Sequence, residues 1–297
     1  MVWNNSNETI IDADQWINET VGKPNRLIGS VYLTLGGIFE IAYLPCLITF
    51  FQRDCRYQSC FKLMIAIGIV DMITTVNDCT ITGIFSIVGI SYYIVPTFSK
   101  VSNFIALSCW FAHCSLCVIL NFNRCCNLYF GRTVAIFTKS RLWIWIFLAF
   151  SYAFVIYSIC PAGFYHSYMG VWLNKFNSGN ELIENFGHVF NNGCVIVIIS
   201  AQYIFMIVIL HKRLRTVSDR SNISKPEFHI LIQSVIICFL LLACSILYVA
   251  IQFIHLPLFM MPFIHISWMF SQGGKSFLYL AMNDKIRRNI GNVLRKR

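Results

Sequence analysis

Charged residues are scarce in this sequence: they make up 12% of its 297 residues, against about 25% in an average soluble domain. Hydrophobic residues reach 57%, which is more than so few polar side chains can cover at an aqueous surface. The shortage excludes a soluble enzyme, a disordered tail and a nucleic-acid-binding domain, despite a formal net charge of +10. The class that remains is a membrane protein.

Motifs for catalysis and metal binding are also missing. The sequence has no Gly-x-Ser-x-Gly, no His-Glu-x-x-His and no P-loop. Its 13 cysteines show no recurring Cys-x-x-Cys pair, so we interpret them as small packing residues rather than a disulfide framework. His113, His255 and His265 stand alone on apolar stretches. We therefore expect no enzyme activity, no cofactor and no metal site.

The first 27 residues lack the apolar core of a signal peptide. They carry instead three acceptor triplets for N-glycosylation, which begin at Asn4, Asn7 and Asn18. Each triplet is a weak signal alone, but three in one short tail indicate an extracellular segment.

Apolar runs long enough to cross a membrane follow this tail, since about 20 apolar residues span the roughly 30 Å of hydrocarbon. The predicted spans are 28–51, 61–87, 97–123, 142–165, 189–210, 230–254 and 261–282. The last two would otherwise form one helix of about 80 Å, so we place a turn at His255, Pro257 and Pro262. The prediction is an all-α bundle of seven transmembrane helices over residues 28–282, joined by short loops.

Positive charge orients these spans. Eighteen of the 23 lysines and arginines fall in segments 52–62, 124–141, 211–229 and 283–297, and such an excess is typical of cytoplasmic loops. The N-terminus is then outside and the C-terminus inside, and anionic lipid, not nucleic acid, explains the basic balance. Residues 283–297 space Ile286, Ile290 and Leu294 as one apolar helix face, which predicts a short amphipathic helix at the membrane surface. A free basic tail is the alternative.

This architecture resembles the G-protein-coupled receptors, and local sequence resembles the nematode serpentine chemoreceptors, particularly class T. The pieces that carry the resemblance extend over residues 30–290 and are Tyr43-Leu44-Pro45-Cys46, Cys60-Phe61-Lys62-Leu63-Met64, Gly68-Ile69-Val70-Asp71, Asn77, Gly83, Tyr92-Tyr93, Pro96, Asn123-Arg124 and Tyr279-Leu280-Ala281-Met282-Asn283. The resemblance implies a chemosensory receptor in the plasma membrane, with sensory-neuron cilia as its location. It also implies an external small-molecule or peptide ligand and a heterotrimeric G protein as partners.

The sequence departs from the common rhodopsin-like pattern. The third span ends in Asn123-Arg124-Cys125 instead of Asp-Arg-Tyr, and the sixth lacks Cys-Trp-x-Pro. The seventh lacks Asn-Pro-x-x-Tyr, and segment 166–188 has no cysteine for the usual outer disulfide. These differences leave the fold prediction intact but question a switch mechanism borrowed from rhodopsin-like receptors.

Arg124 is the first candidate functional residue. It follows Lys100 by 24 residues, about 36 Å of helix, which places it at the cytoplasmic mouth. The resemblance implies that Asn123 and Arg124 meet the G protein there. The alternative is an arginine that extends from a helix end towards the lipid headgroups.

The candidate ligand pocket lies at the opposite end of the spans. By depth, Asp78, Lys100, Asn103 and Trp268 fall in the outer half of the second, third and seventh spans. A cavity between helices with a few polar groups is the usual ligand site. For Trp268, ordinary aromatic packing is the alternative.

Charges inside the spans form the last set of candidates. Glu40, Asp71 and Lys275 fall at similar depths near the bilayer midplane, where a lone charge costs roughly 2.5–3.5 kcal/mol. In rhodopsin-like receptors the acid of the second helix faces an asparagine and a sodium ion. We predict that Lys275 replaces that ion and pairs with Asp71, with Glu40 as second neighbour. The first alternative is a protonated Asp71, with the Lys275 side chain extended towards the inner membrane surface. The second is a transporter or channel that uses Glu40, Asp71, Asp78 and Lys275 as a polar path.

Overall fold

The structure, a computed structural model, is mostly helical. It describes residues 22–52, 58–90, 94–130, 135–138, 140–160, 163–173, 175–178, 181–216, 225–254, 256–282 and 286–288. Within these ranges, six helices are long and apolar enough to cross a membrane. The glycosylation triplets at Asn4, Asn7 and Asn18 lie outside the described residues. So does most of the predicted C-terminal amphipathic helix, of which only residues 286–288 are described, as helix.

Helix α1, Arg26–Phe50, lies in close contact with the second span. That span consists of α2 (Ser59–Thr75), a π-helical turn (Val76–Ile81) and α3 (Thr82–Val88). A Cβ on Gly36 of α1 would lie only 2.6 Å from the Cβ of Cys79, so only glycine permits this approach.

The π-helical turn determines which residues of the second span face the bundle. Asn77, Asp78 and Cys79 are consecutive in the sequence, and all three are buried in this turn. A π turn adds a residue to the helical repeat and often occurs at functional sites. Nothing in the hydropathy pattern of the sequence predicted it.

The third span, α4, is the longest helix described, Pro96–Phe130, and it contacts the second span, α5 and α6. The prediction that this span ends at residue 123 is wrong. The helix continues for almost two further turns, so Arg124 lies inside it rather than at its end.

Helix α5, Arg141–Ser158, is shorter than predicted. The predicted fourth span reached residue 165, but the chain leaves the helix after Ser158 and Phe164–His166 form a strand. Pro161 follows in the sequence, and a proline disfavours the helical conformation in the residue before it. This proline was the available signal for the helix end.

Two antiparallel β-hairpins occupy the connection that we predicted as a short loop. Strand β1 (Phe164–His166) pairs with β2 (Val171–Leu173), and β3 (Lys175–Ser178) pairs with β4 (Glu181–Glu184). The turn between β1 and β2 passes through Gly170 at φ +67°, a conformation that glycine adopts without strain.

The remaining helices are α6 (Phe186–Thr216), α7 (Lys225–Phe253), α8 (Met261–Gln272) and α9 (Lys275–Met282). The division of the long apolar run between residues 253 and 261 is confirmed. The role given to Pro262 is wrong, because this residue lies in the first turn of α8, where a proline needs no backbone donor.

The predicted seventh span is interrupted at Gly273 and Gly274. Helices α8 and α9 have 12 and 8 residues, and together with the glycine pair they extend roughly 33 Å, enough to cross the hydrocarbon. A Cβ on Gly273 would lie 2.5 Å from the Phe39 ring. The interruption therefore lets α1 pack directly against the backbone of the seventh span.

Candidate functional site

A buried ion cluster lies between the helices. Lys275 Nζ lies 2.8 Å from Asp71 Oδ2, and His113 Nδ1 lies 2.7 Å from Asp71 Oδ1. All three residues are fully buried. The pair between Asp71 and Lys275 that the sequence predicted is thus present in the structure, and it joins α2, α4 and α9.

His113 is the member of this cluster that sequence reasoning missed. We had interpreted it as an isolated histidine on an apolar stretch, and that interpretation is wrong. Its Nδ1 faces the carboxylate and therefore carries the proton, while its Nε2 lies 3.6 Å from the Cys117 thiol. The Tyr43 hydroxyl also donates to Asp71 Oδ2 at 2.5 Å. The one available signal in the sequence was a titratable residue in the middle of an apolar span.

Glu40 lies apart from this cluster. Its side chain is half-buried, and its Oε1 has no hydrogen-bond partner among the described residues. The Lys275 ammonium contacts Asp71 and His113 instead. The structure therefore puts His113, and not Glu40, in the place of second neighbour.

Arg124 faces the bundle near the end of α4. Its Nη1 donates to Ser234 Oγ on α7 at 2.6 Å, and its Nη2 lies 4.0 Å from Met64 Sδ on α2. Only 7% of the residue is exposed. An arginine that extends to the lipid headgroups would be mostly exposed, so the structure does not support that alternative.

Other contacts near Arg124 hold α7 in place. Asn121 donates to Cys238 Sγ at 3.0 Å, and Gln233 on α7 donates to the Leu278 carbonyl at 3.2 Å. Asn123 is fully buried, accepts from Asn127 at 3.3 Å and leaves its own Nδ2 without a partner. Polar contacts of Arg124 and Asn121 thus join α7 to α4, and a contact of Gln233 joins it to α9.

Asp78 lies in the π-helical turn, towards the other end. Asn77 donates to Asp78 Oδ1 at 2.9 Å, and Ser102 on α4 donates to Asn77 Oδ1 at 2.7 Å. The other carboxylate oxygen, Oδ2, is also buried, and the Trp172 indole is a second neutral donor beside this carboxylate. Only 1% of Asp78 is exposed.

A group of aromatic rings lies next to Asp78. His265 Nε2 lies 2.9 Å from the Asp78 carbonyl, and its Nδ1 lies 3.3 Å from the Tyr248 hydroxyl. Because a carbonyl only accepts, Nε2 carries the proton and Nδ1 accepts from the tyrosine. The Trp268 ring lies 5.8 Å from His265 and 5.2 Å from Tyr248, measured between centroids.

The two remaining residues predicted for the pocket, Asn103 and Lys100, differ in burial. Asn103 is buried, and its Oδ1 accepts from the Gly163 backbone at 3.2 Å. Lys100 was predicted from its depth in the third span, but its side chain is exposed, whereas Asp78, Asn103 and Trp268 are buried.

The β1–β2 hairpin caps this end of the bundle. The Tyr32 hydroxyl of α1 donates to the Gly170 carbonyl at 2.5 Å, and Tyr165 shares a 2.8 Å hydrogen bond with Ser86 of α3. Burial raises the pKa of the Tyr165 phenol, so this side chain stays neutral. Asn25 both caps α1 and donates to the Tyr168 carbonyl at 2.9 Å.

Hydrogen bonds hold the hairpin in place of a disulfide. Each cysteine that the structure describes is a free thiol, in agreement with the departure noted in the sequence. Trp172 of β2 is 1% exposed and lies 5.4 Å from the Tyr165 ring. The hairpin thereby adds two aromatic side chains to the surroundings of Asp78.

Comparison with known proteins identifies the family. Residues 7–297 match the family described as serpentine type 7TM GPCR chemoreceptor Srt. The chain is also similar to serpentine receptor class T-55 of Caenorhabditis elegans, with 20% identity over 272 residues, which cover 90% of this chain and 74% of that receptor. The protein with this buried ion cluster and hairpin-capped aromatic group therefore belongs to the Srt family of serpentine seven-transmembrane chemoreceptors.

Proposed function

We propose that this protein is a chemosensory receptor of the plasma membrane that binds an external ligand and activates a heterotrimeric G protein. Membership of a serpentine chemoreceptor family supports the receptor class. The excess of basic residues in alternate loops supports an outside N-terminus and an inside C-terminus. The hairpin then faces the exterior and Arg124 faces the cytoplasm. A location in sensory-neuron cilia follows from the family resemblance alone.

The contact between Arg124 and Ser234 is the observation that carries this proposal. A 2.6 Å hydrogen bond joins Arg124 of α4 to Ser234 of α7 in the half of the bundle that we expect to face the cytoplasm. Separation of the two helices breaks this bond and releases the guanidinium from α7, so that its donors can bind a partner's carbonyls or carboxylates. A ligand that binds the separated state more tightly shifts the population towards it.

The buried charges offer little support to the rival function, a transporter or channel. Asp71 and Lys275 are fully buried and bind one another, so two of the four charges proposed for a polar path already neutralise each other. Flux or current through reconstituted protein in the absence of any G protein would favour the rival.

Substitution of Arg124 tests the proposal. Arg124→Ala removes the group that is offered to the G protein, so we expect ligand-stimulated signalling to be lost in cells that carry a promiscuous G protein. Surface expression and ligand binding should persist, because Arg124 and Asn103 are 21 residues, about 32 Å, apart along α4. Arg141→Ala is the matched control, since Arg141 is exposed at the start of α5. Unchanged signalling by Arg124→Ala at normal surface expression would contradict the proposal.

A further inference from the structure

Asp71 and Asp78 are buried acids on the same span, seven residues apart, and only one of them has a counter-ion. Asp71 binds Lys275 and His113. Asp78 forms no ion pair with any of the described residues. Among the described residues its carboxylate meets only neutral donors, the Asn77 amide at Oδ1 and the Trp172 indole.

A carboxylate in this position is costly unless something pairs with it. Removing an ion from water carries a penalty of several kcal/mol, which a nearby opposite charge or several hydrogen bonds must offset. The histidine closest to it is no counter-ion, because His265 donates from Nε2 to the Asp78 backbone and accepts at Nδ1 from Tyr248. The π-helical turn nevertheless directs Asp78 into the bundle.

The rings near Asp78 suit a positive charge. The Trp172 indole lies beside the carboxylate, and the rings of Tyr165 and Tyr32 lie 5.9 and 5.0 Å from that of His265. Trp268 and Tyr248 continue the same group. The faces of tryptophan and tyrosine rings attract cations, and groups of such rings bind ammonium ligands.

One buried donor in this group also lacks an acceptor. Trp268 Nε1 has no hydrogen-bond partner among the described residues, and the residue is 2% exposed. Unpaired buried N–H groups are rare in folded proteins. A ligand that carries an acceptor oxygen next to its cationic group would satisfy this donor.

We propose that Asp78, Trp172, Tyr248 and Trp268 form the binding site for a small organic cation, a primary amine or a quaternary ammonium ion, whose positive charge pairs with Asp78 Oδ2. This proposal rests on the proposed receptor function and gives the ligand its chemical class. The β1–β2 hairpin supplies Trp172, so the hairpin closes over the bound cation.

Binding is tested on the purified full chain in detergent, without a G protein. The probes are tetramethylammonium, choline and phenethylammonium, with 3,3-dimethylbutan-1-ol and 2-phenylethanol as uncharged counterparts of the last two. We expect at least one cation to raise the melting temperature and to change tryptophan fluorescence in a saturable manner, whereas its uncharged counterpart does neither. Choline should give a larger shift than tetramethylammonium, because its hydroxyl can accept from the free Trp268 indole.

Two variants assign the effect to Asp78. Asp78→Asn should abolish the shift, and Glu40→Gln should preserve it, although Glu40 is also a membrane-embedded acid with an unpartnered buried oxygen. If Asp78→Asn does not fold, the fluorescence change of the unmodified chain still decides between cation and uncharged counterpart.

The failures of this proposal and of the receptor function are distinguishable. If none of the cations binds, the ligand class is wrong, and if Asp78→Asn retains the full shift, the cation binds elsewhere and the proposed site is wrong. In that case, ligand-stimulated nucleotide exchange with another class of compound would leave the receptor function standing. Cation binding that never stimulates exchange would contradict the receptor function and leave this site intact.

Discussion

Asp71 shares its two carboxylate oxygens among three side chains, and this sharing predicts how single substitutions behave. Asp71→Asn removes the anion and leaves Lys275 Nζ 3.3 Å from His113 Nδ1 without compensation, which costs about 3–5 kcal/mol. Lys275→Met should cost less, since His113 and Tyr43 still bind the carboxylate. The double variant should recover part of the loss caused by Asp71→Asn.

Surface expression and the melting temperature of the solubilised protein check this ranking. Glu40→Gln is the control and should change neither, because Glu40 lies outside the cluster. Losses that simply add in the double variant would show that the two residues act independently.

At the scale of single residues, the sequence predicted a contact where the cost of an unpaired charge in the membrane was the dominant constraint. A lysine and an aspartate at the same membrane depth have few other ways to avoid an unpaired charge, so their pairing was predictable. The choice of His113 over Glu40 as the neighbour was not, because it depends on how α1 and α4 are rotated. Hydropathy fixes the depth of a residue and leaves this rotation open.

At the scale of elements, the β1–β2 hairpin is held by a close approach to α1. A Cβ on Gly170 would lie 2.6 Å from Ile28 Cγ2 and 2.9 Å from the Tyr32 hydroxyl. The residue also has φ +67°, which costs other residue types roughly 1–2 kcal/mol.

Gly170→Ala should therefore lower the melting temperature and weaken the contact between hairpin and α1. Gly193→Ala in α6 is the matched control, since a Cβ there meets nothing within 4 Å and alanine favours a helix interior by about 1 kcal/mol. An equal effect of the two substitutions would contradict the assigned role of the hairpin contact.

Element boundaries were predictable where the sequence carries a breaker. Pro257 marks the division between α7 and α8, and Pro161 explains why α5 ends early. The extension of α4 to Phe130 carried no such signal, because the basic segment 124–141 begins at Arg124, yet residues 124–130 remain helical. The π-helical turn was equally hidden, since its six residues have no distinctive composition.

For the whole molecule, the orientation in the membrane predicts which asparagines receive glycans. Asn4, Asn7 and Asn18 should be modified, because the tail that carries them is expected outside. Asn222, in Asn222-Ile223-Ser224, should not be modified, because segment 211–229 is expected in the cytoplasm. Gel mobility of single acceptor variants, with and without glycosidase, checks both statements. A shift that depends on Asn222 would invert the topology.

The class of the whole molecule was the most predictable level of all. A chain with so few charges and so many long apolar runs has little choice but to span a membrane, and the family comparison agrees. The proposed switch was less predictable from the sequence, because it depends on a few contacts between helices. Ser234 makes such a contact, and a single serine in an apolar span does not reveal it in the sequence.

The central claim is that the contact between Arg124 and Ser234 controls coupling to the G protein. Nucleotide exchange on a purified heterotrimeric G protein tests it most directly. The receptor is reconstituted in lipid, and exchange is measured without ligand. Ser234→Ala removes the hydrogen bond between Arg124 and α7 and should raise basal exchange above that of the unmodified receptor. Ser245 is a buried serine on the same helix without a hydrogen-bond partner among the described residues, so Ser245→Ala should leave basal exchange unchanged. Adding Arg124→Ala to Ser234→Ala should abolish the increase. Basal exchange that is the same in Ser234→Ala, in Ser245→Ala and in the unmodified receptor would contradict the account.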